Sequence, residues 1–329
     1  MLRQDVRETR PMSENSVSPL SIPTALAELA ATATSLVAPY LRSVARSAPE
    51  VGLKQDIHDP VTVHDQRTEA IIRWFLAKFA PGSTVLGEEM GEELDAELVG
   101  DISEYVQAPA VALSEQVIEV IAPLSNRVRW IVDPIDGTAN FASGLTYFGT
   151  SIGVELDGEV VAGAISVPFN YEIFVADDRH FWHEDERDGA RKLLTSRGPT
   201  TETEALLATY YPGVHDLNAN PDLSLVHEKT LMNAYSTVRR PGAGAVDLAM
   251  VAAGWIGVSM ATALKPWDVA AGIHMVRVAG GSVLNLPMGT DLPDGLRPGV
   301  VASVSTLQAT TAERVLRKLD AEAGNPLED

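Results

Sequence analysis

The sequence predicts an α+β fold organised as a layered sandwich, with helices packed on both faces of β-sheets. In the first half, apolar strand-like segments follow one another, and the hairpin signal Asp157-Gly158 joins two of them. In the second half, strands alternate with helices that carry one apolar face. A hydrophobic fraction of 45% in 329 residues is enough for a large core without disulfides or a structural metal.

The first half begins with two amphipathic helices. Apolar residues recur at helical spacing from Pro23 to Ala45. A second helix is predicted from about Asp65 to Phe79, where Pro81-Gly82 ends it, and a short strand follows at 84–86. Buried strands are then predicted at residues 129–132, 150–156, 160–167 and 171–176.

The second half alternates between the two types of element, as layered α/β proteins do. Strands are predicted at residues 206–210, 235–239, 255–261, 282–285 and 300–303. Helices are predicted at residues 243–253, 268–279 and 306–319.

The composition excludes several classes of function. The chain has no cysteine, which excludes disulfides, thiolate nucleophiles and cysteine-bound zinc and favours a reducing cytoplasm. Its formal net charge of -20 disfavours binding to nucleic acid or to an anionic membrane. The most apolar segment, Val246–Leu264, contains Asp247, Gly254 and Gly257, so it predicts a buried helix and strand rather than a membrane span.

Carboxylates stand at four places where the chain is predicted to turn sharply. Taken one at a time, each is better explained as a solvated residue or a helix cap than as a functional acid. The segment from Trp130 to Phe141 is different, because a predicted buried strand delivers Asp133 and Asp136 only three residues apart. The other acidic positions are Asp65, Glu88, Glu89 and Asp268.

Two carboxylates at the end of a buried strand are costly unless they are compensated, and hard divalent cations are the simplest compensation. Oxygen ligands select magnesium, calcium or manganese, and the seven histidines lack the paired spacing typical of zinc sites. Clustered Mg²⁺ ions suit phosphate ester cleavage, because they neutralise phosphate oxygens and activate water. Backbone N–H groups of Gly137 and Thr138, at a predicted helix start, can hold the phosphate.

Three motifs resemble the signatures of the inositol monophosphatase family. They are Gly87-Glu88-Glu89, the run DPIDGTANF at Asp133–Phe141, and the run WDVAAG at Trp267–Gly272. Lys54 and the segment DPVTVHD at Asp59–Asp65 resemble the family's upstream elements, and the likeness extends over about residues 23–320. The resemblance implies a five-layer αβαβα sandwich, shared with fructose-1,6-bisphosphatase, and a magnesium-dependent phosphatase that is often inhibited by lithium.

The resemblance also implies roles for individual residues. Asp65 and Thr138 resemble the pair that orients or deprotonates the attacking water, Glu88 takes part in catalysis, and Lys54 lies on a mobile loop near the weakest metal site. The implied metal ligands are Glu88, Asp133, the Ile135 carbonyl, Asp136, Asp268 and Asp65. The implied phosphate and substrate contacts are Asp136, Gly137, Thr138, Ala243, Gly244 and Ala245. In-line attack by metal-activated water, without a covalent intermediate, is the implied mechanism.

The sequence departs from the family pattern where the substrate is recognised. In animal members, a Glu seven residues before the last metal-binding Asp contacts the inositol ring; here that position is Ala261. We expect a substrate that is inositol monophosphate or a similar polyol phosphate. Histidinol phosphate, 3′-phosphoadenosine 5′-phosphate and fructose 1,6-bisphosphate stay open, as does a non-enzymatic regulator that binds the transcription machinery.

The expected organisation is two subdomains between short tails. Residues 1–20 lack an apolar stretch, so a disordered tail is predicted rather than a secretory signal. Residues 21–180 form an expected N-terminal α+β subdomain with most of the metal ligands and an insertion at about 90–126. Residues 181–320 form an expected C-terminal α/β subdomain, followed by a tail at 321–329. The family resemblance further implies a homodimer with two or three Mg²⁺ ions, which Mn²⁺ can replace.

Overall fold

The structure is a computed structural model that describes residues 20–46, 51–53, 60–90 and 113–324. Across these ranges, helical layers alternate with a seven-stranded and a five-stranded sheet. The layers follow one another as helices, sheet, helices, sheet, helices, which confirms the αβαβα sandwich. Within the described ranges, no helix combines the length and the apolar character needed to cross a membrane.

The first helical layer covers one face of the seven-stranded sheet. Helix α1 (Ile22–Val44) begins at Ser21, whose hydroxyl accepts the N–H of Thr24 at 3.2 Å. Strands β1 (Val51–Leu53) and β2 (Pro60–Thr62) form an antiparallel pair that leads into helix α2 (Val63–Phe79). The two helices bury their apolar faces in one core cluster with the sheet.

The seven-stranded sheet holds the chain from β3 onwards. In spatial order its strands are β3 (Thr84–Gly87), β4 (Val128–Asp136), β5 (Gly149–Leu156), β6 (Glu159–Val167), β7 (Glu172–Ala176), β8 (Phe181–Asp185) and β9 (Ala190–Leu193). Only β3 and β4 are parallel neighbours in this sheet; the other pairs are antiparallel. The short helix α3 (Glu115–Ile121) packs on α1 at the end of the expected insertion, and residues 91–112 of that insertion lie outside the described residues.

Two strands of this sheet were missing from the sequence-based prediction. Strand β8 begins with buried Phe181 and Trp182 but ends in polar and charged residues, and the edge strand β9 is exposed throughout, so both lack the apolar alternation by which strands are recognised. They extend the first sheet beyond residue 180, where the sequence placed the subdomain boundary, and that division stays a prediction. Strand β4 is also longer than expected, because pairing with β5 resumes at Asp136 after an irregularity.

The central helical layer lies between the sheets. Helix α4 (Thr138–Ala142) is a single short turn after β4, whereas α7 (Gly244–Ala252) and α8 (Pro266–Val278) contact strands of both sheets. A Cβ atom added to Gly153 would lie 2.6 Å from the Cβ of Ala270, so the absence of a side chain there lets α8 pack directly on β5.

The second sheet and the last helical layer complete the sandwich. The strands are β10 (Leu206–Thr209), β11 (Thr237–Arg239), β12 (Val258–Ala261), β13 (Ser282–Leu286) and β14 (Gly299–Ser303), in the spatial order β11-β10-β12-β14-β13. The outer helices are α5 (Val214–Ala219), α6 (Pro221–Ala234) and α9 (Thr310–Ala323). Helices α5 and α6 were not predicted, since α6 exposes Leu225, Val226 and Met232 and therefore lacks a clear apolar face.

Candidate metal centre

Strand β4 delivers two carboxylates to the edge of the seven-stranded sheet. Asp133 is 2% exposed and Asp136 is 5% exposed, and the strand pairing is irregular between them. The N–H of Ile135 donates to Oδ1 of Asp133 at 3.0 Å, and the Thr150 hydroxyl donates to the Pro134 carbonyl at 2.9 Å. These bonds fix the strand end, so the orientation of both acids is set by the backbone.

Helix α8 supplies a third carboxylate from the next layer. Asp268 stands in its first turn, and its Oδ2 accepts the N–H of Lys265 at 2.7 Å, which caps the helix. One oxygen each of Asp133, Asp136 and Asp268 lies within 4.8 Å of the others. Asp268 therefore caps α8 and belongs to the acidic cluster at the same time. The cluster brings together β4 and α8, which are far apart in the sequence.

The start of helix α7 faces the same cluster. Oδ2 of Asp136 accepts the N–H of Val246 at 2.9 Å. Burial and the charge of Asp268 raise the pKa of Asp136 well above its usual value, and hydrogen bonds from the backbone of Val246 and Gly244 oppose that rise. A helix N-terminus carries a partial positive charge that favours anions. The N-terminus of α7 therefore stabilises the charge of Asp136, and this contact holds the first turn of α7 beside the acidic cluster.

The cluster is strongly repulsive in the absence of cations. Burial raises the pKa of Asp133 well above its usual value, and the charges of Glu88, Asp136 and Asp268 raise it further. Burial also raises the pKa of Asp268 to about 7, again with a contribution from Glu88. Glu88 acts in the same direction on Asp65. A set of buried oxygen donors that repel one another fits hard divalent cations, which relieve the repulsion on binding.

A buried ion pair that the sequence reasoning missed positions the turn with the Gly-Glu-Glu motif. The side chains of Glu69 and Arg73 on α2 are 0% and 2% exposed, and Nε of Arg73 donates to Oε1 of Glu69 at 2.8 Å. Glu69 also accepts the N–H groups of Glu89 at 2.8 Å and Met90 at 3.3 Å. A Cβ at Gly87 would lie 2.1 Å from Oε1 of Glu69, so only glycine allows this approach. The sequence signal that could have indicated this ion pair is the presence of two charged residues, Glu69 and Arg73, on the otherwise apolar face of α2.

Asp65 and Thr138 form a second polar group beside the cluster. Asp65 is fully buried, and its Oδ2 accepts from the Thr62 N–H at 2.8 Å and the Thr62 hydroxyl at 2.6 Å. The Thr138 hydroxyl lies 3.0 Å from Oδ1 of Asp65 and 3.0 Å from the Ile135 carbonyl oxygen. Burial raises the pKa of Asp65 to about 6 despite these hydrogen bonds. The pair that the resemblance implied is therefore in hydrogen-bond contact.

Glycines bring the starts of α4 and α7 together. Gly137 has φ of 90°, in the left-handed region, and a Cβ there would lie 2.8 Å from the Gly242 carbonyl oxygen. The side-chain amide of Asn140 donates to the carbonyls of Tyr147 at 2.7 Å and Pro241 at 2.8 Å, which links the two segments. The two segments expected to contact phosphate thus lie side by side.

The remaining predicted residues have different outcomes. Lys54 lies outside the described residues, as does Asp59. Ala243, Gly244 and Ala245 are buried at the start of α7, and Ala261 is buried at the end of β12.

A five-layer sandwich in which carboxylates converge beside helix N-termini fits a metal-dependent phosphatase. The model of the inositol monophosphatase family matches residues 21–322, and the chain belongs to this family. It is a phosphatase, as the relatives below also indicate.

Relatives with known names agree with this assignment. The Mycobacterium tuberculosis protein named Inositol-1-monophosphatase SuhB is 33% identical over 234 residues, which are 71% of each chain. The solved structure of Mycobacterium tuberculosis SuhB has a TM-score of 0.65 and 28% identity, covering 91% of this chain and 98% of that chain. The Escherichia coli protein named Nus factor SuhB is 31% identical over 229 residues, 69% of this chain and 72% of its own length.

Proposed function

We propose that this phosphatase is a magnesium-dependent phosphate monoester hydrolase of a small metabolite, with inositol monophosphate or a similar polyol phosphate as substrate. The observation that carries the proposal is the convergence of oxygens from Asp133, Asp136 and Asp268 within 4.8 Å. The Mycobacterium tuberculosis relative, named as an inositol-1-monophosphatase, supports the substrate.

Asp133, Asp136 and Asp268 would hold two or three Mg²⁺ ions, with Glu88, the Ile135 carbonyl and Asp65 as further ligands. The donor set supports this, because oxygen ligands suit Mg²⁺. They also suit Mn²⁺, which can replace Mg²⁺. Bound Mg²⁺ supplies positive charge to the phosphate and lowers the pKa of water. Lithium inhibition is part of the same proposal.

Groups of the protein itself would position the substrate and accept the proton of the attacking water. The N–H groups of Gly137 and Thr138, and that of Ala245 in the first turn of α7, would hold phosphate oxygens at helix starts. The Thr138 hydroxyl is held 3.0 Å from Asp65, which is arranged to accept a proton or to orient water. In-line displacement then needs preorganised charge and position rather than a covalent intermediate.

Phosphate release across a substrate panel tests the proposal directly. The panel contains inositol 1-phosphate, histidinol phosphate, 3′-phosphoadenosine 5′-phosphate and fructose 1,6-bisphosphate, each with Mg²⁺, with Mn²⁺ and with chelator. We expect release that requires the cation and is fastest with inositol 1-phosphate. Equal release in the presence of chelator would contradict magnesium dependence. A clear preference for another compound of the panel would contradict inositol monophosphate as the substrate.

A regulatory role is the second candidate, since the Escherichia coli relative is named Nus factor SuhB. We propose to separate the two functions with the Asp133→Asn variant. A regulator that binds the transcription machinery keeps its binding when turnover is lost. A homodimer and a cytoplasmic location complete the proposal, and sedimentation and cell fractionation test them.

A further inference from the structure

Asp247, in the first turn of α7, is a buried carboxylate that the proposed mechanism does not use. It is 0% exposed, and its Oδ1 accepts the Tyr147 hydroxyl at 2.6 Å. Its Oδ2 is also buried, and among the residues that the structure describes it has no hydrogen-bond partner. A buried carboxylate with an unpaired oxygen lowers the stability of a fold, and such costs are concentrated at functional sites.

Tyr147 belongs to the segment that packs against the turn after β4. Its carbonyl oxygen accepts the side-chain amide of Asn140 at 2.7 Å, and a Cβ added to Gly137 would lie 3.3 Å from the same oxygen. The Tyr147 side chain leaves this segment and crosses to α7, where its hydroxyl donates to Asp247. Burial and the charge of Asp247 raise the pKa of Tyr147, so the hydroxyl stays protonated and keeps donating. Tyr147 therefore connects the turn after β4, through its main chain, to the first turn of α7, through its side chain.

The bond between Tyr147 and Asp247 differs from the other hydrogen bond that reaches the first turn of α7. That other bond runs from the Val246 N–H to Asp136, which is a proposed metal ligand, so its strength depends on the cations that share the carboxylate. Asp247 lies outside the acidic cluster. Its N–H donates to the Ala243 carbonyl at 3.0 Å, which fixes the residue within the turn. The Tyr147 hydroxyl can therefore hold the turn in place with or without bound cations.

We propose that Tyr147 and Asp247 are positioning residues, and that their hydrogen bond fixes the first turn of α7 against the turn after β4 so that both turns hold one phosphate. This inference rests on the proposed phosphatase function and adds to it two residues that act through backbone groups. The N–H groups of Gly137, Thr138 and Ala245 can bind the same phosphate only if the two turns keep a fixed separation. Loss of the bond leaves each N–H group intact but widens the range of separations between them.

Phosphate binding by four variants tests the proposal. Tyr147→Phe removes only the hydroxyl, Asp247→Ala removes its acceptor, and Asp247→Asn keeps an acceptor oxygen at the same position. Tyr235→Phe is the matched control, because the buried Tyr235, which follows α6 in the outer helical layer, also donates its hydroxyl to a carboxylate, Oε1 of Glu202 at 3.1 Å. Calorimetric titration of inorganic phosphate with saturating Mg²⁺ measures binding without turnover, and kcat and KM with inositol 1-phosphate are measured in parallel.

We expect Tyr147→Phe and Asp247→Ala to weaken phosphate binding about tenfold and to lower kcat/KM by about the same factor, because each breaks the bond between the two turns. Asp247→Asn and Tyr235→Phe should stay within about twofold of the parent. Unchanged phosphate affinity in Tyr147→Phe would overturn the inference, as would an equal loss in Tyr235→Phe or in Asp247→Asn.

The two proposals fail in different ways. If the parent binds phosphate but releases none from the substrate panel, the proposed function fails, and the binding comparison alone decides the role of Tyr147 and Asp247. If the parent does not bind phosphate, both proposals fail.

Discussion

Removal of the Glu69 carboxylate is the change whose effect on the free energy of unfolding follows most directly from the structure. In the variant Glu69→Ala, the buried guanidinium of Arg73 loses the oxygen that lies 2.8 Å from its Nε. The N–H groups of Glu89 and Met90 lose their acceptor at the same time. The change therefore reaches both the core and the turn that carries Glu88.

The expected loss of stability is large. Breaking a buried ion pair by removing one partner costs about 3 to 5 kcal/mol, because the remaining charge stays desolvated. A loss of this size lowers Tm by on the order of 10 °C in a protein of this size. Activity at limiting Mg²⁺ should fall as well, because the turn with Glu88 is no longer held.

Urea unfolding followed by circular dichroism measures the effect, and Glu313→Ala is the matched control. Glu313 has the same spacing to Arg317, but their oxygen and nitrogen are 3.9 Å apart and the side chains are 33% and 58% exposed. The control should lose less than about 1 kcal/mol. Equal losses in the two variants would refute the reasoning. The double variant Glu69→Leu/Arg73→Leu should recover part of the stability, since the buried guanidinium that lost its carboxylate partner is then removed as well.

Three further predictions concern the metal centre and its surroundings. Gly137→Ala should lower the free energy of unfolding by at least about 1 to 2 kcal/mol, because alanine is strained at positive φ and its Cβ would lie 2.8 Å from the Gly242 carbonyl oxygen; an unchanged urea midpoint would contradict this. The pKa of Asp65 is raised to about 6 and that of Asp268 to about 7, so the folded chain retains protons that the unfolded chain releases above about pH 4. Stability without metal should therefore fall as the pH rises from about 4 to about 7, and Mg²⁺ should raise Tm more at about pH 8 than at about pH 5. The pKa of Asp247 is also raised to about 7 by burial, so Asp247→Asn should make the metal-free fall in Tm shallower over the same range, and an identical slope would count against it.

Local sequence was sufficient to place Asp133 and Asp136 at the end of a buried strand and Asp268 at a helix start, because each lies in a short segment with its own structural signals. Their membership of one metal site was predicted only through the family resemblance. The buried strand β4 is read from its apolar run, and Gly137 marks the tight turn after it. Asp268 follows Pro266 at a helix start, which is a local cap pattern. The αβαβα order was accessible through the family resemblance, which the family match confirms.

The parts that could not be predicted depend on contacts between distant segments. The approach of Glu69 to Gly87 needs α2 to pack against the end of β3, and nothing within either segment indicates it. Tyr210 and Ala261 follow each other across the sheet only because β10 and β12 pair in the second sheet, and neither segment indicates that pairing by itself. Strands β8 and β9 form because a preceding edge offers hydrogen bonds, despite a polar sequence.

Magnesium-dependent phosphate release by Asp133→Asn tests the central claim most directly. The variant keeps the size of the side chain and removes one buried charge of the cluster, and Glu313→Gln serves as a matched substitution far from the acidic motifs in sequence. With saturating Mg²⁺ and an unchanged circular dichroism spectrum, we predict that Asp133→Asn loses at least about 100-fold in kcat. Full activity of this folded variant would contradict the account.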